Sequence, residues 1–123
     1  LDASFLLTKN LVPLLKESSS SSIIFTSSGV GRKGRAYWGA YSISKFATEA
    51  MMQILFDELQ NTTSIRVNCI NPGAVRTKMR ESAYPAENPE SNPSAIEIMN
   101  PYLYLMSDLS KDINGQSIDA QAH

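Results

Sequence analysis

Two short apolar segments lie on either side of a long helical pattern, and this order constrains the fold more than any other feature of the sequence. Residues 22–28, SIIFTSS, are apolar and β-branched, which predicts a strand buried on both faces. A helical pattern covers about residues 40–60, and residues 65–71, IRVNCIN, predict a second strand with alternating side chains. A strand, a long helix and a second strand form a βαβ unit, whose crossover is almost always right-handed. The sequence therefore predicts an α/β fold.

Further elements are predicted on both sides of this unit. Residues 1–17 carry apolar side chains at a helical period, and Pro13 is expected to kink that helix. Residues 78–95 are polar and contain three prolines, so we expect a loop there. Another helix, broken or begun at Pro101, is predicted after this loop.

Composition and charge exclude several classes of protein. The 123 residues are 42% hydrophobic and 19% charged, as in an ordinary globular domain with one modest core. The net charge of −1 offers no electrostatic attraction for nucleic acid or an anionic membrane. No apolar run approaches the ~20 residues of a membrane span, no signal peptide is visible, and the single cysteine cannot form an internal disulfide. We therefore expect one domain in the cytoplasm, with neither nucleic acid nor a membrane as a partner.

A tyrosine, a lysine and a serine have spacings that suit catalysis. Tyr41 and Lys45 lie four residues apart in the predicted helix, so their side chains share one face. A phenol ionises near pH ~10, and a neighbouring ammonium group favours the ionised form. Ser28 stands thirteen residues before Tyr41, at the end of the first predicted strand. Ligands of open parallel sheets bind at that end of the strands, where the serine hydroxyl can hydrogen-bond a substrate oxygen.

Three glycines after the first predicted strand imitate a dinucleotide-binding fingerprint. Gly29, Gly31 and Gly34 spell G-x-G-x-x-G, but the fingerprint should open a helix at once, so that the helix N-terminus meets a pyrophosphate. Here the helical period begins only near Ala40. We therefore interpret the segment as a flexible loop that connects the serine with the tyrosine.

An isolated Tyr-x-x-x-Lys pair favours a surface tyrosine beside a solvated lysine, but a wider pattern surrounds this pair. The pattern consists of Ser28, Tyr41, Lys45, the turn Asn71-Pro72-Gly73, and Thr77. It resembles the short-chain dehydrogenase/reductase family, and more narrowly the YciK-like bacterial members of that family. The resemblance runs over the whole chain.

The resemblance implies a Rossmann-like, doubly wound parallel sheet. Residues 1–123 would form the C-terminal half of this single domain, with about three parallel strands and flanking helices. Residues 116–121, QSIDAQ, resemble the last strand of the family, and residues 78–95 resemble its substrate lid. The N-terminal dinucleotide-binding half would be missing, together with an asparagine that completes the catalytic group in many members and would fall just before Leu1.

The resemblance also implies an NAD(P)-dependent oxidoreductase that transfers hydride between nicotinamide and a carbonyl or alcohol substrate. Tyr41 would act as general acid/base, Ser28 would hold the substrate oxygen, and Lys45 would bind the nicotinamide ribose. The cofactor would be NAD or NADP, with a slight preference for NADP, and no metal is expected. The residues expected to contact the cofactor are Tyr41, Lys45, Pro72, Gly73, Val75 and Thr77.

Assembly and activity each leave an alternative open. The resemblance implies a homodimer or homotetramer that assembles through the helices at residues 1–17 and 40–60. The second of these is apolar over so wide an arc that it needs two partners, and another helix of the same chain is the alternative cover. A non-catalytic dimerisation or binding module, or an inactive fragment, is the alternative function. Because half of the domain would be missing, we expect the 123 residues alone to bind cofactor poorly.

Overall fold

The computed structural model describes residues 2–75 and 78–121, which form a parallel sheet with flanking helices. The strands are β1 (Ser21–Thr26), β2 (Ile65–Asn71) and β3 (Ser117–Asp119). The helices are α1 (Asp2–Leu15), α2 (Gly39–Leu59), α3 (Lys78–Ala83) and α4 (Met99–Met106). Within these described ranges, no helix is long and apolar enough to cross a membrane.

All three strands run parallel, so their carboxyl ends lie at one edge of the sheet. β1 pairs with β2 over six residues, and the last pair sets Thr26 opposite Ile70. β3 pairs with the other side of β2, and its last pair sets Asp119 opposite Asn71. The strand order is β1-β2-β3, with α2 connecting the first two strands. The predicted α/β fold with three parallel strands is confirmed.

β2 is the central strand and is buried on both faces. Val67 and Cys69 are fully buried in the core beneath α2. The polar residues that alternate with them are buried too: Arg66 donates two hydrogen bonds to Ser110, and Asn68 donates one to a backbone carbonyl just before β3. The alternation in this strand therefore does not mark a solvent-exposed face. It separates an apolar layer from a layer in which distant parts of the chain supply the polar partners.

The hydrophobic core lies between α2 and the sheet. Met52 and Leu59 of the helix pack against Phe25 of β1 and against Ile65 and Val67 of β2. Each of these side chains is almost completely removed from water, which is the main favourable contribution to folding. The long helix predicted at residues 40–60 thus covers the sheet with one of its faces.

α4 covers the opposite face of the sheet. Leu105 of α4 is buried, and its carbonyl accepts a hydrogen bond of 2.8 Å from the Ser22 hydroxyl of β1. The side chain of Arg66 lies on the face of β2 opposite α2, because side chains alternate along a strand. It donates hydrogen bonds to Ser107 and Ser110, which follow directly after α4. The sheet therefore lies between two helical layers, as in doubly wound α/β proteins.

α1 and α2 keep large apolar faces in solvent. α1 runs through Pro13 to its end, and only Val12 and Leu15 pack against the core. The exposed apolar residues are Phe5, Leu6, Leu7, Leu11 and Leu14 of α1, and Ile43, Phe46 and Ile54 of α2. Apolar surface of this extent is typical of a contact with another protein segment.

The segment predicted as a loop at residues 78–95 contains regular structure. α3 occupies its first six residues, and Pro89–Ser91 forms a short 3-10 helix. No residue of α3 is buried, so the helix has no apolar face that a sequence pattern would show. The loop prediction is wrong at α3 for that reason.

Gly31 lies where the loop after β1 passes closest to α2. Gly29–Gly31 form a single 3-10 turn, so the three glycines do not open a long helix as a dinucleotide fingerprint requires. A Cβ atom on Gly31 would lie 2.8 Å from the backbone carbonyl oxygen of Lys45, whereas one on Gly34 would meet nothing within 4 Å. The absence of a side chain at Gly31 therefore lets the loop pack directly on the helical turn that carries Lys45.

Gly31→Ala is expected to lower the free energy of unfolding by about 1–3 kcal/mol, because the added methyl group overpacks against backbone that cannot rotate away. Urea unfolding of the purified protein measures this change. Gly34→Ala is the matched control in the same loop, and its effect should stay within about 0.5 kcal/mol. Equal stability of the two variants would contradict the close approach of loop and helix.

Candidate active site

Ser28 lies two residues beyond the end of β1, at the carboxyl edge of the sheet. Its backbone is extended, and its Oγ accepts a hydrogen bond of 3.4 Å from the Val30 amide, which caps the 3-10 turn. The side chain is half-buried. A hydroxyl that accepts one hydrogen bond keeps its own proton available for donation, so Ser28 can donate to a ligand oxygen.

Tyr41 and Lys45 lie on the first two turns of α2. Tyr41 is the third residue of the helix, and 38% of its surface is exposed. The Lys45 ammonium lies 5.6 Å from the centre of the Tyr41 ring and donates a hydrogen bond of 3.2 Å to the Thr26 carbonyl at the end of β1. Lys45 therefore connects the tyrosine with the strand that leads to Ser28. No hydrogen bond joins the Ser28 and Tyr41 hydroxyls within the described part of the chain.

The turn after β2 is held in an unusual backbone conformation. Gly73 has a φ of 74°, in the left-handed region that favours glycine, and its amide donates to the Asn71 side-chain oxygen at 3.1 Å. The Gln121 side chain donates to the Pro72 carbonyl at 2.6 Å and to the Ala74 carbonyl at 2.9 Å. These bonds fix Pro72 and Gly73 at the sheet edge. Two further residues were expected to contact the cofactor. Val75 is half-buried, and Thr77 lies outside the described residues.

The loop that carries Ser28 adjoins this turn. The Ser27 amide donates a hydrogen bond of 2.7 Å to the Ile70 carbonyl, which extends the β1–β2 pairing by one step. The Asn71 side-chain nitrogen lies 3.8 Å from the position that a Cβ atom on Gly29 would take. The structure thus brings three predicted features to one edge of the sheet: Ser28, the Tyr41–Lys45 pair and the turn at Pro72.

A buried glutamate that was not predicted from the sequence lies beneath this edge. Glu49 of α2 is 6% exposed, and one of its oxygens accepts hydrogen bonds of 2.7 Å from both the Ser27 and Ser117 hydroxyls. The Arg32 guanidinium lies 3.5 Å from the same oxygen. Glu49 stands four residues after Lys45, in a stretch of helix where Ala50, Met51 and Met52 follow it directly. A lone acidic residue in that position was the only available signal, since its partners come from the loop after β1 and from β3.

The polar contacts continue from Arg32 to the turn after β2. Arg32 donates to the Ser117 hydroxyl at 3.0 Å and forms an ion pair of 2.6 Å with Asp119. The same Asp119 oxygen accepts a hydrogen bond of 3.1 Å from the Asn71 amide. The side-chain oxygen of Asn71 in turn accepts a hydrogen bond from the Gly73 backbone amide. A continuous set of bonds therefore connects the glutamate of α2 with the turn after β2.

Cys69 lies in the buried layer below Glu49. Burial is the main cause that raises the pKa of the Cys69 thiol to about 12, and the neighbouring Glu49 carboxylate contributes by disfavouring a second negative charge. The thiolate is the reactive form of cysteine, so this side chain is inert in the folded protein. Its position in the core is that of a small hydrophobic residue.

An ion pair and an aromatic contact hold the segment after the turn. Arg80 donates two hydrogen bonds to Glu87, at 3.0 and 2.8 Å, and its guanidinium lies 3.8 Å from the centre of the Tyr84 ring. The Tyr84 ring lies 6.3 Å from the Trp38 ring, which in turn lies 5.7 Å from the Tyr41 ring. The Arg80 guanidinium lowers the pKa of the Glu87 carboxyl by hydrogen bonding to its charged form. Tyr84 of this segment is thus connected to the candidate catalytic Tyr41 through the Trp38 ring between them.

Across residues 2–75 and 78–121, no group of three or more His, Cys, Asp or Glu side chains could hold a metal ion. The groups gathered at the sheet edge are hydroxyls, a phenol, an ammonium and backbone amides, which donate hydrogen bonds and exchange protons.

Comparison with known proteins shows similarity to short-chain dehydrogenases over most of this chain. A family model described as short chain dehydrogenase matches residues 1–88. The oxidoreductase YciK of Escherichia coli (strain K12) is 55% identical over 120 residues, which cover 98% of this chain and 47% of that protein. The chain therefore spans about half the length of the curated relatives it matches.

Solved structures share the fold over nearly the whole chain. A short chain dehydrogenase from Salmonella enterica serovar Typhi CT18 has a TM-score of 0.96 at 56% identity, covering 99% of this chain and 50% of that one. A short chain dehydrogenase from Escherichia coli CFT073, complexed with NADPH, has a TM-score of 0.94 at 54% identity, with coverages of 99% and 50%. The Rossmann-like arrangement expected from the sequence is therefore confirmed.

Cys69 is expected to resist alkylation by iodoacetamide at pH 8 in the folded protein. A thiol with a pKa near 12 is ionised to only about one part in ten thousand at that pH, and burial also excludes the reagent. Mass spectrometry of the peptide that contains Cys69 measures the rate. The control is the same protein unfolded in guanidinium chloride, where labelling should be faster by at least about a hundredfold. Rapid labelling of the folded protein would disprove the burial of this thiol.

The Arg80–Glu87 ion pair is expected to stabilise residues 78–92 above pH 4.5 and to lose that effect at lower pH. Because the folded-state pKa of Glu87 is lowered from 4.5, its contribution is complete above that value and disappears as the pH falls through the lowered pKa. Hydrogen-exchange protection of this segment, corrected for intrinsic rates, should therefore fall on acidification.

Glu87→Gln should remove that pH dependence and lower the protection already at pH 7. Glu90→Gln, a change of the same kind in the same segment, is the control and should behave as the wild type. Unchanged protection in Glu87→Gln would show that the ion pair does not hold the segment.

Proposed function

Because this chain belongs to the short-chain dehydrogenase family of oxidoreductases, we propose that the whole protein transfers hydride between NAD(P) and a carbonyl or alcohol substrate, with Tyr41 as the general acid/base. The position of Lys45 carries this proposal. Its ammonium lies beside the Tyr41 ring and bonds the end of the strand that delivers Ser28. A phenol, an ammonium and a hydroxyl at one sheet edge are the groups that proton exchange with a carbonyl oxygen requires.

Tyr41 is the group proposed to move the proton. In the direction of reduction its hydroxyl gives a proton to the substrate oxygen, and in the direction of oxidation its phenolate takes that proton back. Tyr41 is partly exposed at the start of α2, so a substrate can reach its hydroxyl.

Ser28 is proposed to hold the substrate oxygen in place. Its Oγ accepts the Val30 amide and keeps a proton to donate, so the hydroxyl direction is partly set before a substrate binds. A donor that is already oriented stabilises a developing negative charge without reorganisation during the reaction.

We propose NADP as the cofactor, with NAD as the alternative, because a relative 54% identical to this chain was solved with NADPH. The nicotinamide supplies the carbon that gives or takes the hydride. The residues at the sheet edge fit such a group. Lys45 donates one of its three N–H groups to the Thr26 carbonyl, and the others are available to ribose hydroxyls. We assign Pro72, Gly73 and Val75 to the backbone that contacts the carboxamide, and Thr77 to a hydrogen bond with the carboxamide or the pyrophosphate.

We also propose that residues 1–123 provide the catalytic half of the domain, and that the floor of the adenine-ribose and pyrophosphate site lies elsewhere in the whole protein. The 3-10 turn at Gly29–Gly31 supports this division, because it is too short to direct a helix N-terminus at a pyrophosphate.

Assembly as a homodimer or homotetramer is proposed through α1 and α2, where Phe5, Leu14 and Phe46 are among the exposed apolar residues.

Tyr41→Phe is expected to lower kcat by at least about a hundredfold, because the phenol oxygen that exchanges the proton is removed while the ring remains. The measurement is NADPH consumption by the whole protein, with 9,10-phenanthrenequinone as the carbonyl probe. The Kd for NADPH, measured by fluorescence titration, should change by less than about threefold, since Lys45 still binds the ribose.

Tyr104→Phe is the matched control for this experiment. Tyr104 lies on α4, is partly exposed, and loses the same hydroxyl group without a predicted effect on kcat. Wild-type turnover in Tyr41→Phe would overturn the assignment of the general acid/base.

A further inference from the structure

We propose that Glu49 is a positioning residue: it sets the distance between the α2 turn that carries Lys45 and the strand end that carries Ser28. This inference rests on the function proposed above. Glu49 does not reach the sheet edge and does not touch substrate or cofactor in this scheme. It acts through Ser27, whose hydroxyl it binds and whose peptide continues directly into Ser28.

The geometry at Glu49 is that of a strong acceptor with fixed partners. Both the Ser27 and Ser117 hydroxyls donate to the same carboxylate oxygen at 2.7 Å, a distance typical of hydrogen bonds to a charged acceptor. The residue is 6% exposed, so water does not compete for these bonds. One oxygen atom thereby joins α2, the end of β1 and the start of β3.

The helical register transmits this constraint to the candidate catalytic pair. Tyr41, Lys45 and Glu49 follow one another at intervals of four residues, so they lie along one face of α2 at successive turns. The bond to Ser27 fixes this face against β1 one turn below Lys45. One turn earlier in the helix, the Lys45 ammonium makes a second bond to the same strand end by donating to the Thr26 carbonyl. Two adjacent bonds from one helix face thus determine how far Tyr41 stands from Ser28.

Arg32 provides the charge that a buried carboxylate requires. An unpaired buried charge is costly, and the Arg32 guanidinium lies 3.5 Å from the Glu49 oxygen. Arg32 also holds Asp119, which accepts the Asn71 amide directly before the turn at Pro72. The same set of bonds therefore relates the helix to the proposed nicotinamide turn.

A purely structural role is an unsatisfactory explanation of this arrangement. Apolar side chains of similar volume usually stabilise a buried site as well as an ion pair does. Hydrogen bonds to a charged oxygen add direction and distance, which apolar packing supplies poorly, and small displacements of catalytic groups strongly reduce the rate. Glu49 is thus better explained by the precision of the edge than by stability.

The test compares Glu49→Ala, Glu49→Gln and Ser27→Ala in the whole protein, with NADPH and 9,10-phenanthrenequinone as reactants. Glu49→Ala should lower kcat by about 10- to 100-fold, with the KM for NADPH within about threefold of wild type. Glu49→Gln keeps an acceptor oxygen for both hydroxyls and should recover most of that loss. Ser27→Ala leaves the Glu49–Arg32 pair intact, so it remains informative if Glu49→Ala does not fold.

A double variant separates positioning through Ser27 from other effects. If Glu49 acts through the Ser27 hydroxyl, Ser27→Ala added to Glu49→Ala should not lower kcat further. Hydrogen exchange at the Ser27 and Gly31 amides, which are bonded in the folded protein, should speed up in Glu49→Ala. Glu58→Gln, an exposed acidic residue of the same helix, is the control and should match the wild type in both measurements.

The outcomes distinguish the two proposals. If Tyr41→Phe is inactive while Glu49→Ala and Ser27→Ala keep kcat within about twofold of wild type, the positioning role is overturned and the proposed function stands. If Glu58→Gln loses as much activity as Glu49→Ala, the positioning role is also overturned. If Tyr41→Phe retains turnover, the proposed function fails, and the role of Glu49 within it fails too.

Discussion

The parallel pairing of β1 with β2 brings the carboxyl ends of both strands to one edge of the sheet, and the other features of the molecule depend on it. Two parallel strands need a crossover long enough to return the chain to its starting edge, and α2 provides it. A helix that returns the chain starts near the carboxyl edge, so its first turns stand beside the residues that follow β1. Ser28, Tyr41 and Lys45 therefore meet through backbone topology, before any side-chain contact is considered.

Polar groups are buried on both sides of this sheet, and each side uses them differently. On the side away from α2, Arg66 and Asn68 bind the segment that leads to β3, which attaches the last strand to the central one. On the side of α2, Glu49 binds two strand-end hydroxyls and so relates the helix to the edge. Within the described residues, no buried side-chain nitrogen or oxygen lacks a hydrogen-bond partner. Complete pairing is what makes such groups tolerable in an interior and useful as fixed spacers.

Sequence patterns predicted the elements whose burial is periodic and missed those held by distant polar contacts. β1, β2 and α2 were predictable because their apolar residues recur at strand or helix spacing. α3 was not, since none of its residues is buried, and the ion pair that holds its segment joins residues seven positions apart in a polar stretch. Ser28, Tyr41 and Lys45 were found from their spacing together with the resemblance to a known family. Glu49 draws its partners from β3 and from the loop between β1 and α2.

By itself, the sequence determined the α/β class, the order of strand, helix and strand, and the phenol, ammonium and hydroxyl groups that are candidates for proton exchange. Local periodicity and side-chain chemistry suffice for these conclusions, because both are properties of short segments. Only the tertiary structure decided that both faces of β2 are buried, that Gly31 must lack a side chain, and that Glu49 binds Ser27 and Ser117 through one oxygen. Each of these depends on distances between segments far apart in the chain, which are set when the sheet and its two helical layers pack together.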